Sequence, residues 1–285
     1  ATPAPKTVPA SITSKASQNA GAMQLKTKAE QGDAASQAEL ASNYLLGRGV
    51  QKDYQQALYW YQKSANQGNV KALSGLWMIY AYGLGVPRDL QKGMHYTKLA
   101  AEKGDASSQG MLGAAYREGS GVPQDLNQAA FWFQKAAEQG FSMAQVDLGT
   151  AYREGYGVTR DYQKALYWYQ KAANQGASQA QAGLGDMFLR GQGVPQDDTK
   201  ARYWLQRAAD QGHAQAQHNL GVMYALGQNV PLDNQKAYQW ALLSAIHGDR
   251  ESIGMCEALK PYLTADQLQQ AQEWVRNWKP VVSKE

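Results

Sequence analysis

The chain has 285 residues, 44% of them hydrophobic, with 28 Lys and Arg against 24 Asp and Glu, four His and one Cys. A single cysteine excludes an intramolecular disulfide framework, and no stretch is long and apolar enough to cross a bilayer as a helix. The formal charge of +4 sits in the ends: six basic residues and one acidic residue fall in 1–28 and 279–285, which leaves the body near −1 and gives nucleic-acid binding by that body little support.

In chain order, residues 1–28 come first. They hold Pro, Ser, Thr, Ala and four lysines with no acid, a composition that predicts a disordered basic arm. From residue 29 a strict period begins. Gly32, Gly68, Gly104, Gly140, Gly176, Gly212 and Gly248 stand 36 residues apart. A period of that size marks stacked supersecondary units. Six full units and a partial seventh are predicted over 29–260.

Each unit reads as helix, turn, helix. In the first helix Ala72, Leu76 and Tyr80 are four apart, as are Ala144, Leu148 and Tyr152, which places them on one face. Asp33, Asn69 and Asp105 are placed to cap it. A Gly-x-Gly-Val turn follows, as in Gly119-Ser120-Gly121-Val122. In the sixth unit Asn229 replaces the second glycine, which predicts a left-handed backbone in that column. Next stands an N-capping Asp: Asp53, Asp89, Asp125, Asp161, Asp197 and Asp233. The second helix then carries Trp60, Tyr96, Trp132, Trp168, Trp204 and Trp240, with Ala57, Ala129, Ala165, Ala201 and Ala237 three residues earlier. One such hairpin cannot bury its apolar face alone, so neighbours must stack.

Unit two departs from the pattern. Trp77 stands in a column otherwise held by Ala41, Gly113, Gly149, Gly185 and Gly221, and Gly93 stands in the alanine column. The unit is expected to open at Trp77 or to turn the indole outward. At the C-terminus, 261–285 reads as a cap: Pro261 ends one helix, Thr264 and Gln267 form a capping box, and Leu268, Ala271, Val275 and Trp278 give the next helix an apolar stripe.

The pattern G-x-G-V-x-x-D, then A-x-x-W-Y-x-K-A-A and Q-G, resembles the Sel1-like repeat. Unit four carries it as Gly155-Tyr156-Gly157-Val158, Asp161, Ala165, Trp168-Tyr169, Lys171-Ala172-Ala173 and Gln175-Gly176. The resemblance implies an all-α, right-handed α/α solenoid kin to the tetratricopeptide repeat. It also implies a non-catalytic protein-binding role, since the family uses one scaffold for many partners. Bacterial members act in envelope maintenance and assembly. Together with the start at Ala-Thr-Pro-Ala-Pro-Lys, which reads as a mature N-terminus after signal-peptide removal, this predicts a periplasmic scaffold. A trimmed chain and a cytoplasmic regulatory adaptor are the alternatives. A further alternative is an immunity protein that neutralises a secreted lipase-type effector.

Catalytic signals are weak. His95, His213, His218 and His247 show no i, i+4 pair for a metal; His213 falls in a cap column and His218 on a face expected to meet solvent. No G-x-S-x-G elbow and no S-x-x-K motif occur. The paired glycines recur at one column with no G-K-[ST] after them, so they punctuate turns and hold no phosphate. Cys256 falls in the leucine column and reads as a small buried hydrophobe. No catalytic, cofactor or metal residue is assigned, and no cofactor is expected.

The binding face is expected on the first helices. Positions equivalent to 36, 40 and 44 face the core, so those equivalent to 35, 38, 39, 42 and 46 face away. In tetratricopeptide-type solenoids that face lines the concave groove. Here Met78, Tyr82, Met111 and Met143 would anchor a partner, with Glu118, Asp147, Glu154, Asp186 and Arg190 setting charge selectivity. The reading is a protein or peptide partner with basic residues, bound by a monomer. The alternative is that small residues crowd the inside of a tight superhelix and mark no site.

Overall fold

The structure is a computed structural model and describes Gly21 and residues 23–281. The expected arm lies outside the described residues through 20 and at 22; from Met23 the chain is already helical, through residues 23–30 (α1). All described secondary structure is helical. The chain divides into two compact units, at Trp132 and Phe133.

In the first unit, hairpins form from α2 (Ala34–Leu46) with α3 (Tyr54–Asn66) and α4 (Val70–Tyr82) with α5 (Leu90–Glu102). Then come α6 (Ala106–Glu118) and α7 (Leu126–Glu138), within which the division falls. The second unit has hairpins of α8 (Ser142–Glu154) with α9 (Tyr162–Asn174), α10 (Ser178–Arg190) with α11 (Asp198–Asp210), and α12 (Ala214–Leu226) with α13 (Asn234–Ile246). The terminal helices are α14 (Arg250–Leu259) and α15 (Ala265–Asn277).

The turns explain why every helix stops at the same place. Gly47, Gly83, Gly155, Gly191 and Gly227 end the first helices in the left-handed conformation and return their N–H groups to carbonyls four residues back. The second turn position is left-handed too, and Asn229 adopts φ 52° there, as its column predicts. The capping Asp then closes the turn twice. Its backbone N–H donates to the aromatic residue near the end of the first helix, as Asp53 does to Tyr44 and Asp233 to Tyr224, both at 3.0 Å. Its carboxylate accepts from the first turn of the second helix, as Asp161 does from Gln163 and Lys164. Losing one such cap costs about 1 kcal/mol.

The core lies between the two helices of each hairpin and the next. Trp60, Leu76 and Ile79 are buried in the first unit, and Leu184, Leu205, Leu220 and Trp240 in the second. One buried column is polar. Gln37, Gln145, Gln181 and Gln217 each donate from Nε2 to a carbonyl eight residues earlier, at 3.0–3.3 Å. The Oε1 atoms of Gln37, Gln145 and Gln181 accept from Gln67, Gln175 and Gln211, at 2.8, 2.7 and 2.8 Å. The helix-face reading missed this column, because glutamine counts as polar in any hydrophobic pattern.

Near the C-terminus, Pro261 lies inside a 3₁₀ turn, Lys260–Tyr262, and Thr264 with Gln267 forms the capping box of α15. Ala271 is fully buried, and α15 packs on α13 with Trp274 edge-on to Trp240 at 5.3 Å. The Val281 N–H donates to the Asp210 carbonyl at 2.7 Å. Cys256 is buried among Tyr238 and Ala271, and burial pushes its thiol up to about 11, which keeps it protonated and inert.

Candidate functional site

In the first unit a pocket of about 740 Å³ opens on the face made by α2 and α4. Tyr61 of α3 forms its floor, reaching between these helices because Gly75 leaves room: a Cβ at 75 would run into the ring. Burial raises the Tyr61 phenol, and a hydrogen bond with Ser42 opposes the shift. Glu39, Lys71 and Met78 line the walls.

The second unit repeats the device. A pocket of about 280 Å³ lies on α8, α10 and α12, with Tyr169 of α9 as its floor beside Gly183. The Tyr169 and Thr150 hydroxyls are 2.9 Å apart. Burial raises Tyr169, while the Arg153 guanidinium, 5.8 Å from the ring centroid, opposes this. Both tyrosines come from second helices, so reading first helices alone could not find them. The signal was present in the sequence: an aromatic after the Trp, facing a Gly fourteen residues later.

The anchors expected from the sequence divide between the units. In the first, Met78 is 37% exposed and lines the pocket. Tyr82 is 65% exposed and packs edge-on to Trp77 at 5.8 Å. Met111 is half-buried and accepts a contact from the Thr97 hydroxyl at 3.8 Å. Glu118 pairs with Arg117 at 3.0 Å. In the second, Met143 is 69% exposed and Asp147 half-buried; neither is among the residues that line the pocket. Glu154 takes Arg153 Nε at 2.6 Å. Asp186 and Arg190 do line the pocket, paired at 2.7 Å, and Asp186 also faces Arg153 at 3.7 Å. Glu118, Glu154 and Asp186 are therefore ion-paired within the chain, by arginines of which the sequence reading had weighed only Arg190.

Two expectations are corrected. Trp77 neither opens the unit nor swings free; it fills the space that Gly93 vacates, 3.4 Å from where a Cβ at 93 would stand. His218 does not face solvent. Its side chain is 12% exposed, with Nδ1 at 2.8 Å from Ser252 Oγ and 3.3 Å from Asp249, and Nε2 at 3.6 Å from Glu251. This joins α12 to α14, and since Ser252 is fully buried, no substrate reaches its hydroxyl. His213 caps α12 as its column predicts, accepting the Ala216 N–H on Nδ1 at 3.3 Å. Among the described residues no His, Cys, Asp and Glu side chains converge to hold a metal ion, and no helix is long and apolar enough to cross a membrane.

Stacked helical hairpins of fixed length define a helical repeat protein. The Sel1 repeat family model matches residues 34–69, 72–105, 106–141, 142–176, 178–213 and 214–249, and the chain belongs to that family. Its members generally mediate protein–protein interaction. Among solved structures, the chain is similar to a protective antigen present in uropathogenic Escherichia coli strains that displays an SLR fold, with 37% identity and a TM-score of 0.78 over 90% of this chain. The chain spans 55% of the length of that antigen. It is also similar to a Sel1 repeat protein from Oxalobacter formigenes, with 31% identity and a TM-score of 0.64 over 75% of this chain and 86% of that one. No curated protein matches the chain.

Proposed function

We propose that the protein is a non-catalytic, monomeric scaffold that holds a protein or peptide segment on its first-helix face, in the periplasm and in the service of envelope maintenance or assembly. The observation that carries this reading is the pair of tyrosine-floored pockets on that face, with exposed methionine at Met78 and Met143. Methionine adapts its shape to a partner, and unburied apolar side chains beside a pocket gain by being covered. The family match supports protein binding; the periplasmic location rests on likeness to bacterial relatives. An immunity role against a secreted effector and a cytoplasmic adaptor role are the alternatives, which gene neighbourhood and cell fractionation separate.

A basic partner loses much of its physical basis, because Glu118, Glu154 and Asp186 already have arginine partners. Shape and apolar contact then matter more than net charge. The test is partner capture from envelope extract with wild type, Met78→Asp and Met143→Asp. Met143 is 69% and Met78 37% exposed, so circular dichroism of each variant accompanies the capture to show that the fold is kept. At least one variant is expected to lose the partner; unchanged affinity in both would refute the first-helix face.

A further inference from the structure

The pocket of the first unit lies beside the point where the chain enters the fold. Residues 1–20, outside the described residues, lead into α1. This helix packs directly on α2: Ala29 is fully buried in one core cluster with Ala38 and Leu40, and its carbonyl accepts Gln37 Nε2 at 3.0 Å. The same α2 forms a wall of the pocket and, with 13 residues, is about 20 Å long. Lys15 stands eight residues before Met23, a reach of up to about 28 Å, which exceeds the length of α2.

Two charged side chains on the pocket walls are unpaired. Glu39 of α2 and Lys71 of α4 are both exposed, and among the described residues neither has an ion-pair or hydrogen-bond partner. Asp105, the third charged residue of the lining, caps α6 by accepting the Ser108 N–H at 2.7 Å. Met78 and the half-buried Val70 add apolar surface. An occupant therefore has to bring a cation to Glu39, acceptors to Lys71 and apolar groups to Met78 and Val70. Residues 1–20 hold all three. They carry Lys6 and Lys15 with no acid, Val8 and Ile12, and Pro3, Pro5 and Pro9, which offer carbonyls and no N–H. The signs are opposite: two carboxylates against one ammonium in the lining, and two lysines without an acid in the segment. Attachment adds the rest, because a short tether gives an effective concentration on the order of millimolar, at which contacts too weak to capture a free peptide fill a pocket. We propose that residues 1–20 dock in this pocket of their own chain, with Lys15 at Glu39, and that a partner displaces them to reach the first-helix face. The docking stands by itself; the displacement rests on the reading of that face as the binding face.

The experiment is paramagnetic broadening in the full chain, with a nitroxide attached at Ser11→Cys and the reduced label as control. Cys256 is buried and stays unlabelled. The expected result is broadening strongest at the amides of α2 and α4 that line the pocket. Glu39→Lys and Lys15→Glu should each lower the ratio of docked to free segment about fivefold, and the double variant should restore most of it. Glu39 is exposed, so the fold does not depend on its charge. Mixing isotope-labelled chain without nitroxide and unlabelled chain with nitroxide tests for a second copy as the source; broadening there as strong as within one chain would overturn the proposal. So would broadening that is uniform or strongest elsewhere, or single variants that the double variant does not rescue. If docking fails while partner capture stays sensitive to Met78 or Met143, the binding face stands and only its occupation by residues 1–20 is removed.

Discussion

Trp77 and Gly93 have exchanged sizes. Elsewhere a small residue on the first helix meets an alanine on the second: a Cβ at Gly185 would lie 3.3 Å from the Ala201 carbonyl, and one at Gly221 would lie 3.2 Å from that of Ala237. In unit two the first helix carries the indole, and the second gives up its methyl group, so that Trp77 Cδ1 lies 3.4 Å from where the Cβ of residue 93 would be. The missing methyl group at 93 makes room for one edge of the indole only, and the rest of the half-buried Trp77 side chain packs against Tyr82.

Reversing that exchange is a direct test. Trp77→Gly should cost about 3 kcal/mol, from lost burial and a glycine in mid-helix. Adding Gly93→Ala should recover about 1 kcal/mol, through helix propensity and partial filling of the space. In the wild-type background the same Gly93→Ala should gain less, because its methyl group would press on the indole. Urea denaturation of the four proteins measures the coupling; strict additivity would show that the two positions do not share the space.

The buried glutamine column makes a second prediction. Gln217 Oε1 is buried without a hydrogen-bond partner, while Gln37, Gln145 and Gln181 are each served by a glutamine thirty residues on. The equivalent position after Gln217 is His247. His247→Gln should therefore stabilise the second unit by about 1 kcal/mol, the net worth of a satisfied buried acceptor. A lower denaturation midpoint in that variant would refute the column as a stabilising ladder.

His213 gives the stability a pH dependence. Burial lowers it from its ordinary value of 6.5, and its Nδ1 must stay unprotonated to accept the Ala216 N–H. Below 6.5 the unfolded chain binds the proton more readily than the folded one. This contribution is thus fully present above 6.5 and is lost as pH falls through the folded value. His213→Asn keeps a cap and cannot protonate. Relative to wild type, the variant should gain stability as the solution is acidified and change little above neutrality. Parallel stability curves for the two proteins across that range would contradict the role.

Much of the fold was legible because its determinants are local. The glycine comb, the Asp caps and the Asn229 turn act within a few residues of themselves, and the structure places each where its chemistry requires. The pockets were half legible. Met78, Asp186 and Arg190 lie in them, but Tyr61 and Tyr169 arrive from second helices through gaps at Gly75 and Gly183. Their role depends on two helices at once, which no single helical face displays. Arg117 and Arg153 escaped for a related reason. They sit one residue before the carboxylates they pair with, at a position outside the set taken as facing away from the core, and reach their partners through long side chains. His218 likewise finds its partners on α14, thirty-one to thirty-four residues away.

The central claim is that the first-helix face holds the protein partner, and site-specific photo-crosslinking in living cells tests it most directly. A photoreactive side chain is placed singly at Met78 or Met143 on that face, and at Tyr59 or Tyr167, which are exposed on second helices. The account predicts one discrete adduct from Met78, Met143 or both, competed away by untagged wild-type protein, and none from Tyr59 or Tyr167. Competable adducts from Tyr59 or Tyr167 alone would contradict it.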